Sequence, residues 1–178
     1  MSDSEDVVTA RLVAAFDAAD ATLDWAELAR GPAVVRLARL RQALVAAGFG
    51  SLAVAAMTLT VDGGPAVPAA LSRTCREASD LLDDAIGPQL AARWPIDSVA
   101  DQLSPDGLGI GSEPVSVAVM EQAMARIESI IERVVGALEV IAEDESVLPE
   151  LRDAAADAVV VFDDLDAVAS TPDPERSQ

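Results

Sequence analysis

The 178-residue chain contains no histidine and no tyrosine, and inspection along its length finds no lysine and no asparagine either. All twelve basic residues are therefore arginine. Without histidine the usual general base near neutral pH is missing, and no Ser-His-Asp or Cys-His device can be assembled. Without lysine there is no Schiff-base nucleophile and no phosphate-loop lysine. Helical di-iron centres built on Glu-x-x-His pairs are excluded as well. A single cysteine and no histidine leave zinc without its preferred ligands, so any metal would have to be a carboxylate-bound ion such as Mg or Ca. The one cysteine also excludes a disulfide framework.

Aromatic residues are scarce, with three Phe and two Trp, while 51% of the chain is hydrophobic and alanine is the most frequent residue. That composition is too apolar for a disordered chain and large enough for one ordinary domain. Thirty-one acidic residues against twelve arginines give a net charge of −19. Such a charge repels phosphate backbones and anionic lipid, so no direct nucleic-acid binding is expected, while a basic protein partner is admitted. The lone Cys75 and the acidic opening Met-Ser-Asp-Ser-Glu-Asp point to a reducing cytoplasmic location and away from a secretory signal. Cys75 itself falls on a helix face with Leu71, Ala78 and Leu82, the position of a small core residue.

Hydrophobic periodicity reads as helix throughout. Val8, Leu12, Phe16, Ala19, Leu23 and Ala26 recur at steps of three and four across Glu5 to Ala29. Gly31-Pro32 closes that segment, and a second helix is predicted over 33–59. A third, from Pro68 to Ala92, carries Leu71, Cys75, Ala78, Leu82 and Ala85, with a kink expected at Gly87-Pro88. A short helix is expected over 96–103, followed by a glycine-bearing loop over 104–112. The clearest pattern places Val117, Met120, Met124, Ile127, Ile131, Val134, Leu138 and Ile141 on one seam, with Ser112 as its cap and Pro114 in its first turn. Ile130 and Val135 widen that seam beyond a two-stranded coil. Leu148, Leu151, Ala155, Ala158, Phe162, Leu165 and Ala169 repeat the pattern after a short acidic connection, predicting a helical hairpin. The expected architecture is a single all-α domain over 1–169, an antiparallel bundle of about five long helices plus one short helix. Residues 170–178 form an expected disordered tail.

Three functional expectations follow. The first is a non-enzymatic helical interaction or scaffold protein, acting as a homo-oligomer or with a protein partner. Its candidate interface is the small-residue face at Ala47, Ser51 and Ala55, which continues the four-residue repeat begun at Ala43 and lets another backbone approach closely. The second is a Mg-dependent enzyme acting on a phosphorylated small molecule. Asp80, Asp83 and Asp84 share a helix face and are its candidate metal ligands, with Asp163 and Asp164 opposite; no other cofactor is expected. The third is a membrane-associated protein inserting residues 43–61, a run with no charged side chain and nearly the length that spans a bilayer. The arginines at 30, 36, 39 and 41 form the one basic patch, expected to dock on acidic helices of the chain or to bind an anion. Arg126 and Arg133 are expected to pair with glutamates on their own helix.

Overall fold

The structure is a computed structural model. It describes residues 3–28, 31–58, 66–87 and 115–169, with side chains over 7–24, 31–57, 67–87 and 115–163. Five helices pack against one another: α1 (Asp3–Leu28), α2 (Ala33–Thr58), α3 (Ala66–Ile86), α4 (Val117–Glu143) and α5 (Pro149–Ala169). Among the described residues there is no strand, and the fold is an all-α bundle. The expected short helix over 96–103, the loop over 104–112 and the tail over 170–178 lie outside the described residues.

Helix α2 occupies the centre. It packs against α1, α3 and α4, most extensively against α3, while α5 closes the bundle by packing on α3 and α4. This central position explains why its sequence carries no charge from Ala43 to Met57: Ala43, Leu44, Ala47, Ser51 and Ala53 are each fully buried. Helix α2 is long and apolar enough to cross a membrane by length and composition, and most of its apolar window lies inside the bundle.

Helix directions can be read from paired contacts. Arg41 meets Asp83 while Gly48 lies against Cys75, so α2 and α3 run antiparallel. Arg126 reaches Asp17 and Asp20, and Arg133 reaches Asp20 and Asp24, so α1 and α4 run parallel although a hundred residues separate them. Helices α4 and α5 form the expected hairpin, joined at 144–148. Arg152 Nε donates to the carbonyl of Ala142 at 3.1 Å, satisfying one of the acceptors left open at the end of α4.

One boundary and one seam differ from the sequence reading. At Gly87, which adopts φ +77°, α3 ends and the N–H closes on the carbonyl of Asp83 at 3.1 Å, while the segment expected to continue past a kink at Gly87-Pro88 to Ala92 lies outside the described residues. Glycine takes that left-handed geometry without a Cβ penalty, which is why helices so often stop on it. Helix α4 begins at Val117 behind an extended Ser116, four residues later than a cap at Ser112 would place it. The seam of α4 is also rotated. Ala123 and Ile130 are buried, while Met124 and Ile131 are only partly covered and Val117 is 53% exposed. A strict heptad seam faces one partner, but α4 is wedged among α1, α2 and α5, so its apolar face spreads to both sides. Leu148 likewise leaves the core at 65% exposure; its carbonyl instead accepts from Leu151 and Arg152 as the start of α5.

Candidate functional site

The expected metal ligands are divided by their environments. Asp83 is committed to Arg41, whose side chain is 5% exposed. Arg41 Nη2 donates to Asp83 Oδ2 at 2.8 Å, while Nε sits 2.6 Å from Oδ1 but off the N–H direction, a charge contact and not a second directed bond. Asp80 and Asp84 are exposed on the outer side of α3. Among the described residues no group of three or more Asp, Glu or Cys side chains is placed to hold a metal ion. Asp163 is exposed on α5, and the side chain of Asp164 lies outside the described residues.

Ala47, Ser51 and Ala55 lie inside the bundle, at 0%, 0% and 6% exposure. Ser51 Oγ donates to the carbonyl of Ala47 at 2.8 Å, a bond that lets a hydroxyl sit in an apolar interior. The close packing of α2 relies also on two glycines the sequence reading left aside. A Cβ on Gly48 would lie 3.1 Å from Cys75 Cβ, and one on Gly50 would lie 2.7 Å from the ring of Phe16. Cys75 is fully buried at this crossing, and burial pushes its thiol up to about 12.

The arginines are distributed differently from the expectation of same-helix pairing. Arg126 donates to Asp17 at 2.9 Å and to Asp20, and Arg133 donates to Asp20 at 2.9 Å and to Asp24. Both guanidinium groups turn toward α1, with Asp20 shared between them. Within the basic patch, Arg41 is spent on α3 as described, Arg36 adds a smaller charge contribution to a lowering of the Asp144 pKa that hydrogen bonds from Ser146 chiefly cause, and Arg30 lies outside the described residues. The hydroxyl of Ser146 is the largest cause of that shift, donating to Asp144 Oδ1 at 2.6 Å, with the Ser146 N–H at 2.9 Å next.

One consequence is visible on the outer side of α4. Glu121, Glu128, Glu132, Glu139 and Glu143 are all exposed and are spaced seven, four, seven and four apart, which keeps them on one stripe. With Arg126 and Arg133 turned to α1, no basic residue of α4 accompanies that stripe. Glu150, Asp153 and Asp157 continue the acidic surface on α5, whose Arg152 is bonded back to α4.

A second feature is a half-open groove of about 280 Å³ between α2 and α3. Leu44, Val45, Gly48 and Phe49 of α2 form its apolar base. Ser72, Arg76, Ser79 and Asp80 of α3 form its wall and edge. Compared with protein-family models, curated proteins and solved structures, the chain has no match.

Proposed function

We propose that this chain is a non-enzymatic interaction protein whose working surface is the acidic outer face of the α4–α5 hairpin, and whose partner is a protein presenting a basic surface. The observation that carries this reading is the glutamate stripe of α4, left uncompensated because the arginines of that helix are bonded to α1. Complementary charge of this kind steers encounter and selects partners, and it works against a second copy of the same −19 chain. The contact surface therefore moves from Ala47, Ser51 and Ala55, which are enclosed, to residues that meet solvent.

The test is capture from the native host with wild-type protein and with a Glu128→Gln, Glu132→Gln, Glu139→Gln variant, followed by affinity measurement on the purified pair. Binding should weaken by about tenfold in the variant, which is about 1.4 kcal/mol, and weaken again between about 0.1 M and about 0.5 M salt. A partner held equally by both proteins at both salt concentrations would overturn the reading. A purified chain that light scattering finds only as a homodimer, or a host capture that yields no stoichiometric basic partner, would overturn it too.

A further inference from the structure

Among the described residues three buried hydroxyls bond within their own helix, and Ser79 does not share that arrangement. Thr22 donates to the carbonyl of Ala18 at 3.0 Å, Ser51 to that of Ala47 at 2.8 Å, and Thr74 to that of Ala70 at 3.2 Å. Each uses the carbonyl one turn earlier, the ordinary way for a helix to absorb a hydroxyl. Ser79 is 3% exposed, yet its Oγ has no hydrogen-bond partner among the described residues. It stands in the wall of the α2–α3 groove. A buried hydroxyl left unpaired costs free energy that a ligand able to pair with it would recover.

The rest of the groove defines what such a ligand must be. Its base is drawn from the uncharged stretch of α2, so it accepts an apolar body. Its edge carries one cation and one anion, Arg76 and Asp80, both exposed and one helical turn apart on the same side of α3. A simple anion would meet Arg76 but also Asp80 and the field of a −19 chain, and a simple cation would meet Arg76. A small zwitterion satisfies both ends and carries no net charge into that field. The volume holds on the order of nine water-sized atoms, at the small end of ligand pockets.

From these features we infer that the α2–α3 groove is a binding site for a small apolar zwitterion of the free amino acid class. The carboxylate is held by Arg76, the ammonium group by Asp80, the Ser79 hydroxyl pairs with the carboxylate, and the side chain lies over Val45 and Phe49. The site is independent of the acidic α4–α5 face, so either assignment can fail without the other.

The experiment is a titration of the full chain, followed by amide chemical shifts, with L-leucine and L-phenylalanine. Hexanoate, isoamylamine and glycine serve as comparisons that lack the ammonium group, the carboxylate and the apolar body in turn. Saturable shifts at Gly48, Phe49 and Ser79 are expected below about 10 mM for at least one of the two amino acids, with each comparison about tenfold weaker or worse. Arg76→Gln and Asp80→Asn, both at exposed positions that leave folding intact, should each weaken the amino acid by about tenfold. Hexanoate binding as well as L-leucine would overturn the zwitterion assignment. No saturable shift in the groove with any of the five compounds, or binding unchanged in both variants, would overturn the site itself.

Discussion

Adding one methyl group at Gly50 tests the packing at the centre of the bundle directly. The new Cβ would sit 2.7 Å from Phe16 Cε1, 2.9 Å from Phe16 Cζ and 3.4 Å from Ile127 Cδ1. Carbon atoms rest at about 3.5–4.0 Å, so the overlap with the ring is close to 1 Å at two atoms. Phe16 is 1% exposed and Ile127 fully buried, so the ring cannot swing away without displacing α1 or α4. Overpacking of this kind costs about 1–3 kcal/mol, and the absence of free space puts this case toward the upper end. Against it stands the better helix propensity of alanine, worth about 1 kcal/mol in a helix interior. The net expectation for Gly50→Ala is a loss of about 1–2 kcal/mol.

Gly136→Ala supplies the matched control, because nothing lies within 4 Å of the Cβ it would add in the middle of α4. Only the propensity gain remains there, so this variant should be stabilised by about 0.8–1 kcal/mol. Urea unfolding followed by far-ultraviolet circular dichroism separates the two. With a slope near 2 kcal/mol/M, the midpoints should move by about 0.5–1 M down and about 0.4–0.5 M up. The double variant Gly50→Ala, Phe16→Leu should recover part of the loss, giving a coupling of at least about 0.5 kcal/mol. Equal midpoint shifts upward in Gly50→Ala and Gly136→Ala would refute the close approach of α1 to α2.

Further consequences can be checked on the same material. Asp83→Ala strips the directed partner from a buried guanidinium and should cost about 2–4 kcal/mol, while Arg41→Met with Asp83→Leu should recover most of it; equal losses in both would show that the pair is not what matters at that position. Cys75 should resist a water-soluble thiol reagent at pH 8 until urea unfolds the chain, and labelling at the rate of an exposed cysteine would contradict its burial. Because its folded pKa is raised, the unfolded chain ionises first, so this group removes stability as pH rises above about 9 toward about 12, and Cys75→Ala should flatten that alkaline loss. Ser146→Ala should move the Asp144 carboxyl back up toward its ordinary range in a carbon-detected titration. The stabilising contribution of Asp144 is present above its unfolded pKa and is lost as pH falls through its lowered folded value.

How far the sequence could be read depends on how local each feature is. Helix existence was legible because it rests on steps of three and four within one segment: Leu12 to Leu23 in α1, Cys75 to Leu82 in α3, and Leu151 to Phe162 in α5 fall in the core as their spacing requires. The rotation of the α4 seam toward Ala123 and Ile130 was not legible, since it is set by how many helices surround α4 and not by α4 itself. Partners of charged residues were hidden for the same reason. Asp20 and Arg133 are separated by 113 positions, and local spacing offered only nearer glutamates. The candidate metal ligands failed to converge because Asp83 answers a cation on a different helix. The α2–α3 groove had a partial signal in the uncharged run after Gln42, but its polar wall belongs to the next helix, and no pattern within either segment joins the two.

The allocation of arginine links stability to surface character in this molecule. A chain at −19 repels itself, and each cation can relieve that repulsion either at the surface or between helices. Arg41 joins α2 to α3, Arg126 and Arg133 join α4 to α1, and Arg152 joins α5 to the end of α4. Each guanidinium is a planar fork that holds its partner in one geometry, an arrangement a lysine could not reproduce. The surface ion pairs along α1 and α4 are individually worth about 0.2–1 kcal/mol, but Asp20 serves two of them and so acts at a junction. Asp20→Asn should therefore lower stability more than Asp17→Asn, with the difference shrinking as salt is raised. Removing that junction would leave Arg126 with Asp17 and Arg133 with Asp24, a weaker hold on α1 that lets both guanidinium groups spend more time toward the glutamate stripe of α4. If the acidic face is what a basic partner reads, the same Asp20→Asn variant should bind that partner more weakly although no contact residue has changed. Unchanged partner affinity in a variant whose salt-dependent stability has fallen would separate the two roles and show that the stripe does not depend on how the arginines are spent.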